Sequence, residues 1–314
     1  MRKSEVNIVV ITYNSRVFIK DCLDSLLSSD RVYCRITVMD NASTDGTAEI
    51  VKEKYQSVKL LRNMRNTGYA CAVNKGVASI AGHFFIVTNA DVVFHRDAIR
   101  QMVEYLMVHR DVGVVGAQQV FSDGKWQRSY GNVPGIVDSV KNLIGITTLH
   151  NWVRRFAWPR RIDAYPKEVG YIDGAAMTIR KESYESVKGF DENFFFYGEE
   201  ADFCFRLKRS GWKVVFLPSA RIIHVRGGSS TKVDASMEKY LQLYVNSKLL
   251  LFKKHYPQWQ FHLYIQLEKI HAQKLALIYR LIGFLLPESK RGYVSNRVIE
   301  YNLLSKIWSE QLTR

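Results

Sequence analysis

Val38-Met39-Asp40-Asn41-Ala42-Ser43-Thr44-Asp45-Gly46-Thr47 (residues 38–47) passes from an apolar run into a polar turn and then into helix-like sequence. Locally, Asp40-Asn41 suits an Asx turn, and Thr44 and Asp45 can satisfy the free N–H groups at the start of the next helix. The same stretch carries chemistry, because Asp40 at a strand tip can accept hydrogen bonds from a pyrimidine N–H or a ribose hydroxyl. Outward from it, short β-rich runs alternate with amphipathic stretches. Strands are expected at Val6 to Thr12, Arg35 to Met39, Val58 to Arg62 and His83 to Thr88, and helices at Val17 to Leu27, Thr47 to Tyr55 and Ala70 to Ile80. That alternation predicts an α/β fold with parallel strands joined by crossover helices. Ligands of such sheets sit beyond the carboxyl ends of the strands. Three polar clusters fall there: Thr12-Tyr13-Asn14, Asp40 to Gly46, and Asn89-Ala90-Asp91.

Past Val112 the glycines Gly113, Gly116, Gly124, Gly131, Gly135 and Gly145 interrupt the periodicity, so residues 120 to 170 read as a long excursion facing an acceptor substrate. Strand character resumes from Tyr171 to Arg180, with further short strands at Val214 to Phe216 and Arg221 to Val225. Everything beyond Ser230 reads as helical, with Tyr240 to His255 and Phe261 to Leu286 separated at Pro257.

Composition narrows the partners. The 314 residues carry a formal net charge of +15, which calls for an anionic partner: nucleic acid, a phosphorylated small molecule or an acidic membrane surface. Nucleic acid ranks last, since zinc, RNP-like and basic-helix signatures are missing and the cations are spread. Cys22, Cys34, Cys71 and Cys204 are scattered without metal or redox spacing. With no signal-peptide pattern, the expected location is cytoplasmic. Leu275 to Leu286, broken by Arg280, suits a helix lying in a membrane interface, a core helix or a homodimer contact through the C-terminal helices.

Phe194-Phe195-Phe196-Tyr197 leads into Gly198-Glu199-Glu200-Ala201-Asp202, three carboxylates within four residues. As a helix start, the acids would meet the positive end of the macrodipole. As a site, their mutual repulsion would raise the proton affinity of at least one and make it a general base. The aromatic wall favours the second reading. Asn66-Thr67-Gly68, at the start of a helix, offers amides and N–H groups to an anion or a base edge. Asp91 and His224 each end a predicted strand, and together with diphosphate oxygens they would make a site for Mn²⁺ or Mg²⁺. Arg226, heading a polar loop with Gly227 and Ser229, could stabilise phosphate charge.

The order of these pieces, Val9 to Asn14, Val38 to Thr47, Asn66 to Ala70 with Asn74-Lys75-Gly76, and Asn89-Ala90-Asp91, resembles the nucleotide-sugar half of glycosyltransferase family 2. Gly174 to Met177, Gly189 to Glu192, the acidic cluster through Arg206, and His224 resemble its acceptor half. Within that family the tone is nearest to bacterial rhamnosyltransferase-like members. The resemblance implies a GT-A fold: a Rossmann-like nucleotide-binding sheet (residues 1–111), an acceptor half (112–230) and a C-terminal helical region (231–314). It implies an inverting transfer from a dTDP- or UDP-sugar to a glycan or polyprenyl-linked acceptor, peripheral to the inner face of an anionic membrane. By position, Thr12, Tyr13, Asn14, Asp40, Asn41, Asn66, Gly68, Asn89 and Arg226 would border the donor, and Asp91 and His224 would hold the metal. Glu200, with Glu199 and Asp202 as alternatives, would be the base. Asn89 stands where the fuller motif has a carboxylate, which motivates the competing reading of a non-catalytic nucleotide-sugar or glycan-binding protein. Glu199-Glu200 replaces the usual Glu-Asp pair.

Overall fold

A computed structural model describes residues 4–147, 165–225 and 237–312 of the chain. Strand β1 (Ser4–Thr12) sends Val6, Ile8 and Val10 into one hydrophobic core and Val9 and Ile11 into another. A strand apolar on both faces must be covered on both, which parallel strands with crossover helices achieve. β1 lies between β2 (Val32–Asp40) and β4 (Phe84–Asn89), both parallel to it, and β3 (Lys59–Arg62) extends the sheet beyond β2. Helices α1 (Ile19–Leu27), α2 (Thr47–Lys54) and α3 (Tyr69–Ala78) make the crossovers. α1 presents Ile19, Cys22, Leu23 and Leu26 to one face of the sheet, while Ala70, Ala72, Val73 and Val77 of α3 cover the other. α3 approaches β1 closely enough that a Cβ on Gly76 would lie 2.3 Å from Val9 Cγ1. Only glycine fits there.

Among the described residues the sheet has nine strands in the order β3-β2-β1-β4-β10-β6-β11-β5, with β8 (Lys167–Glu168) paired to β11. Here β5 is Val92–Phe94, β6 Val112–Val120, β10 Ala176–Arg180 and β11 Lys213–His224. β10 enters antiparallel between β4 and β6, so the sheet is mixed. A two-stranded ladder pairs β7 (Tyr130–Gly131) with β9 (Tyr171–Ile172). α4 (Ala98–Val108) packs on the α1 face, and α6 (Lys181–Ser186) and α7 (Glu199–Arg209) join α3 on the other.

Three expectations need correction here. The glycines from 113 onward do not end regular structure: β6 runs through Gly113 and Gly116 and is buried at every position. A Cβ on Gly116 would lie 2.1 Å from Ile172 Cγ2, and one on Gly113 3.0 Å from Ser183 Cβ, so these glycines admit close neighbours rather than break the strand. The second concerns Tyr171 to Arg180, which is two strands, β9 and β10, separated by an Asp173-Gly174-Ala175 turn. Conversely, the two expected strands after Val214 form one, β11, whose register with β6 shifts between Leu217 and Arg221.

The chain divides into two units, Met1–Val133 with Arg161–Asp234, and Pro134–Arg160 with Ala235–Arg314. Part of the stretch expected to face an acceptor thus belongs with the C-terminal helices. In that second unit α5 (Ile136–Leu143) lies along α9 (Gln258–Leu285), where Ser139 Oγ donates to Glu268 Oε1 at 2.9 Å. Tyr256 Oη donates to Pro134 O at 2.8 Å. α8 (Met237–His255), α9 and α10 (Glu288–Glu310) share a core of Leu241, Val245, Phe252, Tyr264, Ile265, Ile307 and Trp308. No helix among the described residues is long and apolar enough to cross a membrane.

Candidate active site

The parallel register puts three expected residues side by side at neighbouring strand ends. Thr12 pairs with Asp40 across β1 and β2, and Ile11 with Asn89 across β1 and β4. Thr12 is buried and its Oγ1 has no hydrogen-bond partner, an arrangement that leaves one polar atom for a ligand. Asp40 is fully buried. Burial pushes its carboxyl above the ordinary range, opposed by hydrogen bonds from Ser43 and by Arg62, whose Nε lies 3.1 Å from Oδ2. Arg62, a partner the sequence reading had not singled out, is half exposed and fixes this carboxylate at the strand tip.

The polar turn beyond β2 is held from within. Asn14 adopts a left-handed φ of 49° and its Oδ1 accepts from Thr44 N at 2.9 Å, tying the first loop to the second. Tyr13 stands half-buried beside it. Asn41 differs from its expected role. Its Nδ2 donates to Asn66 Oδ1 (2.8 Å) and Gly68 O (3.1 Å), and its Oδ1 accepts from Asn63 Nδ2 and Thr67 N. With both donors and both lone pairs used, Asn41 has no capacity left for a nucleotide and instead sets the Asn66-to-Gly68 turn. Gly68 is required there: its φ is 82°, and a Cβ would lie 2.6 Å from Phe195 O. The next residue, Tyr69, donates its N–H to that same Phe195 carbonyl at 3.0 Å. The donor-side loop and the aromatic wall before the acids are therefore in direct contact.

Asp91 occupies the turn between β4 and β5, while β11 pairs antiparallel with β5 so that His224 stands opposite Val92. The consequence is an Asp91 Oδ1 to His224 Nε2 distance of 3.5 Å between residues 133 positions apart in sequence, both buried. On the other side of the ring, Nδ1 is 2.9 Å from Gln119 Oε1. An amide oxygen only accepts, so Nδ1 is the donor to Gln119, and Nε2 is the ring atom that faces Asp91. Gln119 is in turn held by Ser129, whose Oγ accepts from Gln119 N at 2.8 Å. Buried carboxylate, oriented imidazole and a hydrogen-bonded outer partner fit a divalent cation. Among the described residues no group of three or more His, Cys, Asp or Glu side chains could hold an ion by itself, so this pair would share one with substrate oxygens. Arg226, with Gly227 and Ser229, lies outside the described residues.

At the acidic cluster, Tyr197 and Gly198 are both left-handed (φ 71° and 87°), which swings the chain into α7 and delivers Glu199 and Glu200 to its first turn. The three acids then separate. Asp202 is fully buried and bound by Arg206 Nε at 2.7 Å, one helical turn on, so it serves the fold rather than a proton transfer. Glu199 is buried with Oε2 lacking a partner, and burial, Glu200 and Asp173 push its carboxyl well up, holding it protonated. Glu200 is half-buried, and burial together with Asp173 raises it from 4.5 to about 7. That change is worth about 3 kcal/mol, more than the ~0.3–1 kcal/mol by which a helix N-terminus favours an anion. Desolvation and like charge win over the macrodipole, which separates this cluster from an ordinary solvated helix start.

Asp173 was missed by the sequence reading because it lay inside a stretch taken as strand; the Asp173-Gly174 dipeptide was the available turn signal. Its loop closes the site. Tyr69 Oη donates to Gly174 O at 2.8 Å, a Cβ on Gly174 would lie 3.8 Å from Glu200 Cβ, and Ala175 O accepts from Asn89 N and from Thr88 Oγ1. The Tyr69 hydroxyl is held well above its usual range by burial and then by Glu199, Glu200, Asp173 and Asp91. One hydroxyl feels both the metal-type aspartate and the acids of α7. Thus Asp91, His224 and Glu200 converge on one region.

Comparison with known proteins bears on the family and the fold. A family model described as "Glycosyl transferase family 2" matches residues 7–188, and one described as "N-terminal domain of galactosyltransferase" matches 163–227. The chain is 28% identical over 242 residues to an N-acetylglucosaminyl-diphospho-decaprenol L-rhamnosyltransferase of Mycobacterium tuberculosis, covering 73% of this chain and 78% of the relative. It is 21% identical over 251 residues to the low-salt glycan biosynthesis hexosyltransferase Agl10 of Haloferax volcanii, covering 76% and 72%. In three dimensions it is similar to the mannosyltransferase PcManGT from Pyrobaculum calidifontis, solved with GDP-Man and Mn²⁺, at a TM-score of 0.59 and 18% identity over 96% of this chain and 86% of that one. The fold is GT-A. With the family model spanning more than half of its length, the chain belongs to glycosyltransferase family 2.

Proposed function

We propose that the protein is an inverting rhamnosyltransferase that moves the sugar of a dTDP- or UDP-linked donor to a hydroxyl of a polyprenyl-linked glycan acceptor in cell-surface polysaccharide synthesis, working at the inner face of the membrane. The observation that carries it is the grouping of Glu200 and Asp173 with Asp91 and His224 around Tyr69. The rhamnosyl and polyprenyl parts come from the mycobacterial relative's description. Thr12 Oγ1, the Asp40 carboxylate and the Asn66 turn would border the nucleoside. Asp91 and His224 would hold Mn²⁺ or Mg²⁺, which when bound supplies positive charge to the departing diphosphate.

Glu200 would take the proton of the acceptor hydroxyl as its oxygen bonds to the anomeric carbon and the bond from that carbon to the diphosphate breaks. Attack from the face opposite the leaving group inverts the centre, and a base titrating near neutrality is matched to the task. Incubating the protein with Mn²⁺, a panel of nucleoside-diphosphate sugars and lipid-linked acceptors, and measuring nucleoside diphosphate release, tests the reading. No acceptor-dependent release with any donor would refute it.

Two expected results follow from the site. The kcat/KM profile should rise as Glu200 loses its proton near pH 7. Since the Asp173 charge contributes to that raised value, Asp173→Asn should move the rising limb to lower pH, by on the order of one pH unit; an unmoved limb would show that the two carboxyls do not communicate. Gln119→Leu removes the acceptor that orients His224 and should weaken Mn²⁺ binding about 10–100-fold. Titration followed by electron paramagnetic resonance reads this directly, and unchanged affinity would exclude His224 as an oriented ligand.

A further inference from the structure

The last two turns of α9 and the start of α10 carry an apolar surface that nothing within the described chain covers. Phe284 is 83% and Leu285 86% exposed, and Leu277, Leu281 and Ile282 continue the stripe back along α9 at helical spacing. α5 extends it sideways. Ser139 Oγ donates to Glu268 and Lys274 Nζ donates to the Leu143 carbonyl, so α5 runs alongside α9, and Ile144 just past α5 is exposed. Leu286-Pro287 then reverses the chain into α10. A contiguous apolar tip of this kind marks an interaction surface.

Charge selects the occupant. Between positions 274 and 300 the sequence holds Lys274, Arg280, Lys290, Arg291 and Arg297 against Glu288 and Glu300, the latter paired with Arg297 at 2.7 Å, so the balance is cationic. Arg280 and Arg291 are exposed beside the stripe; Arg280 Nη2 reaches Asn302 Oδ1 and Arg291 Nε caps the Leu286 carbonyl. In an isologous contact with a second copy, two cationic rims would face each other. An anionic lipid surface instead offers acyl chains to Phe284 and Leu285 and phosphate to the arginines. Since no described helix can span a bilayer, the contact would be shallow and reversible.

We infer that the α9–α10 tip, with Phe284 and Leu285 as the inserting residues and Arg280 and Arg291 as headgroup contacts, docks this protein onto anionic bilayers. It gives the membrane clause of the proposed function a specific surface, yet it is carried by the helical unit's own residues and stands whether or not that reading holds. The test is co-sedimentation of the full chain with sucrose-loaded vesicles of phosphatidylcholine alone or mixed equally with phosphatidylglycerol, at low and high salt. Partitioning onto the mixed vesicles should exceed that onto phosphatidylcholine at least tenfold and fall with salt. Phe284→Ser with Leu285→Ser should lower it at least tenfold, while Arg280→Gln with Arg291→Gln should abolish the preference for the anionic lipid. Both pairs are exposed, so circular dichroism and donor hydrolysis in vesicle-free solution should match the parent, which separates failure of docking from failure of the transferase reading. Equal partitioning of parent and Phe284/Leu285 variant would overturn the inference. So would a concentration-dependent dimer, seen by ultracentrifugation, that the same variant dissociates without any vesicle binding by the parent.

Discussion

Glu200→Gln is expected to lower kcat by about 10²–10⁴-fold with the donor KM within a few-fold of the parent. Glutamine keeps the size and the hydrogen bonding of the side chain but cannot accept the acceptor's proton. Of the three clustered acids, Glu200 alone combines partial exposure with a value of about 7, so that it can be ionised at neutral pH and still be basic. Glu199 is buried, and burial with Glu200 and Asp173 pushes its carboxyl well up, which makes it a neutral acid rather than a base. Glu199→Gln should therefore leave most of the rate and the position of the pH profile unchanged, because burial and Asp173, not Glu199, raise Glu200. Single-turnover release of nucleoside diphosphate, with donor affinity measured separately, distinguishes these outcomes. Were Glu200→Gln to retain parental turnover, Glu200 would not be the base; absence of turnover in the parent with every donor would favour the competing view of a non-catalytic nucleotide-sugar binder.

The second large effect concerns stability. Arg206→Met should destabilise the nucleotide-binding unit by about 3–5 kcal/mol, the usual consequence of removing one partner from a buried ion pair. Asp202 is fully buried, the guanidinium is 18% exposed, and Nε stands 2.7 Å from Oδ2 while Nη1 donates to the Val187 carbonyl at 2.5 Å. Methionine fills the stem but supplies neither hydrogen bond. Linkage gives the loss a pH signature: the buried Asp202 carboxylate, without the guanidinium, regains stability only by taking up a proton, so the variant should recover part of the deficit as pH falls toward the carboxylate range. Urea unfolding at pH 8 and pH 5 would show it. A deficit below 1 kcal/mol at both would mean that Asp202 does not depend on Arg206, and would return it to the list of candidate bases.

Much of the architecture was legible because it rests on short-range pattern. The near-continuous apolar run along Val6 to Thr12 needs cover on both faces, and the polar clusters that follow the strands could only fall at their carboxyl ends. The polar turn from Asp40 to Thr47 was readable as strand end, Asx turn and helix start, since each of those depends on neighbours within a few residues. Glycine was the ambiguous sign. At Gly113 and Gly116 a reading by local propensity implied breaks, whereas the reason for both glycines is the proximity of Ser183 and Ile172, some 70 and 56 positions away in sequence. Asn41 looked like a ligand because its type and place fit one, and only its saturation by Asn63, Asn66, Thr67 and Gly68 shows a different task.

What the sequence by itself determined, then, was the alternation of strands and helices, the strand tips on which the polar residues stand, and the family to which they belong. Tertiary structure decided which of them act together. Antiparallel pairing of β11 with β5 brought His224 to Asp91, Gln119 oriented its ring, and the Asp173 loop raised Glu200 while Arg206 claimed Asp202. Propensity and hydrophobic period act over a few residues, but proton affinity, ligand orientation and burial are set by whatever lies within a few ångströms, and that neighbourhood exists only once the sheet has formed.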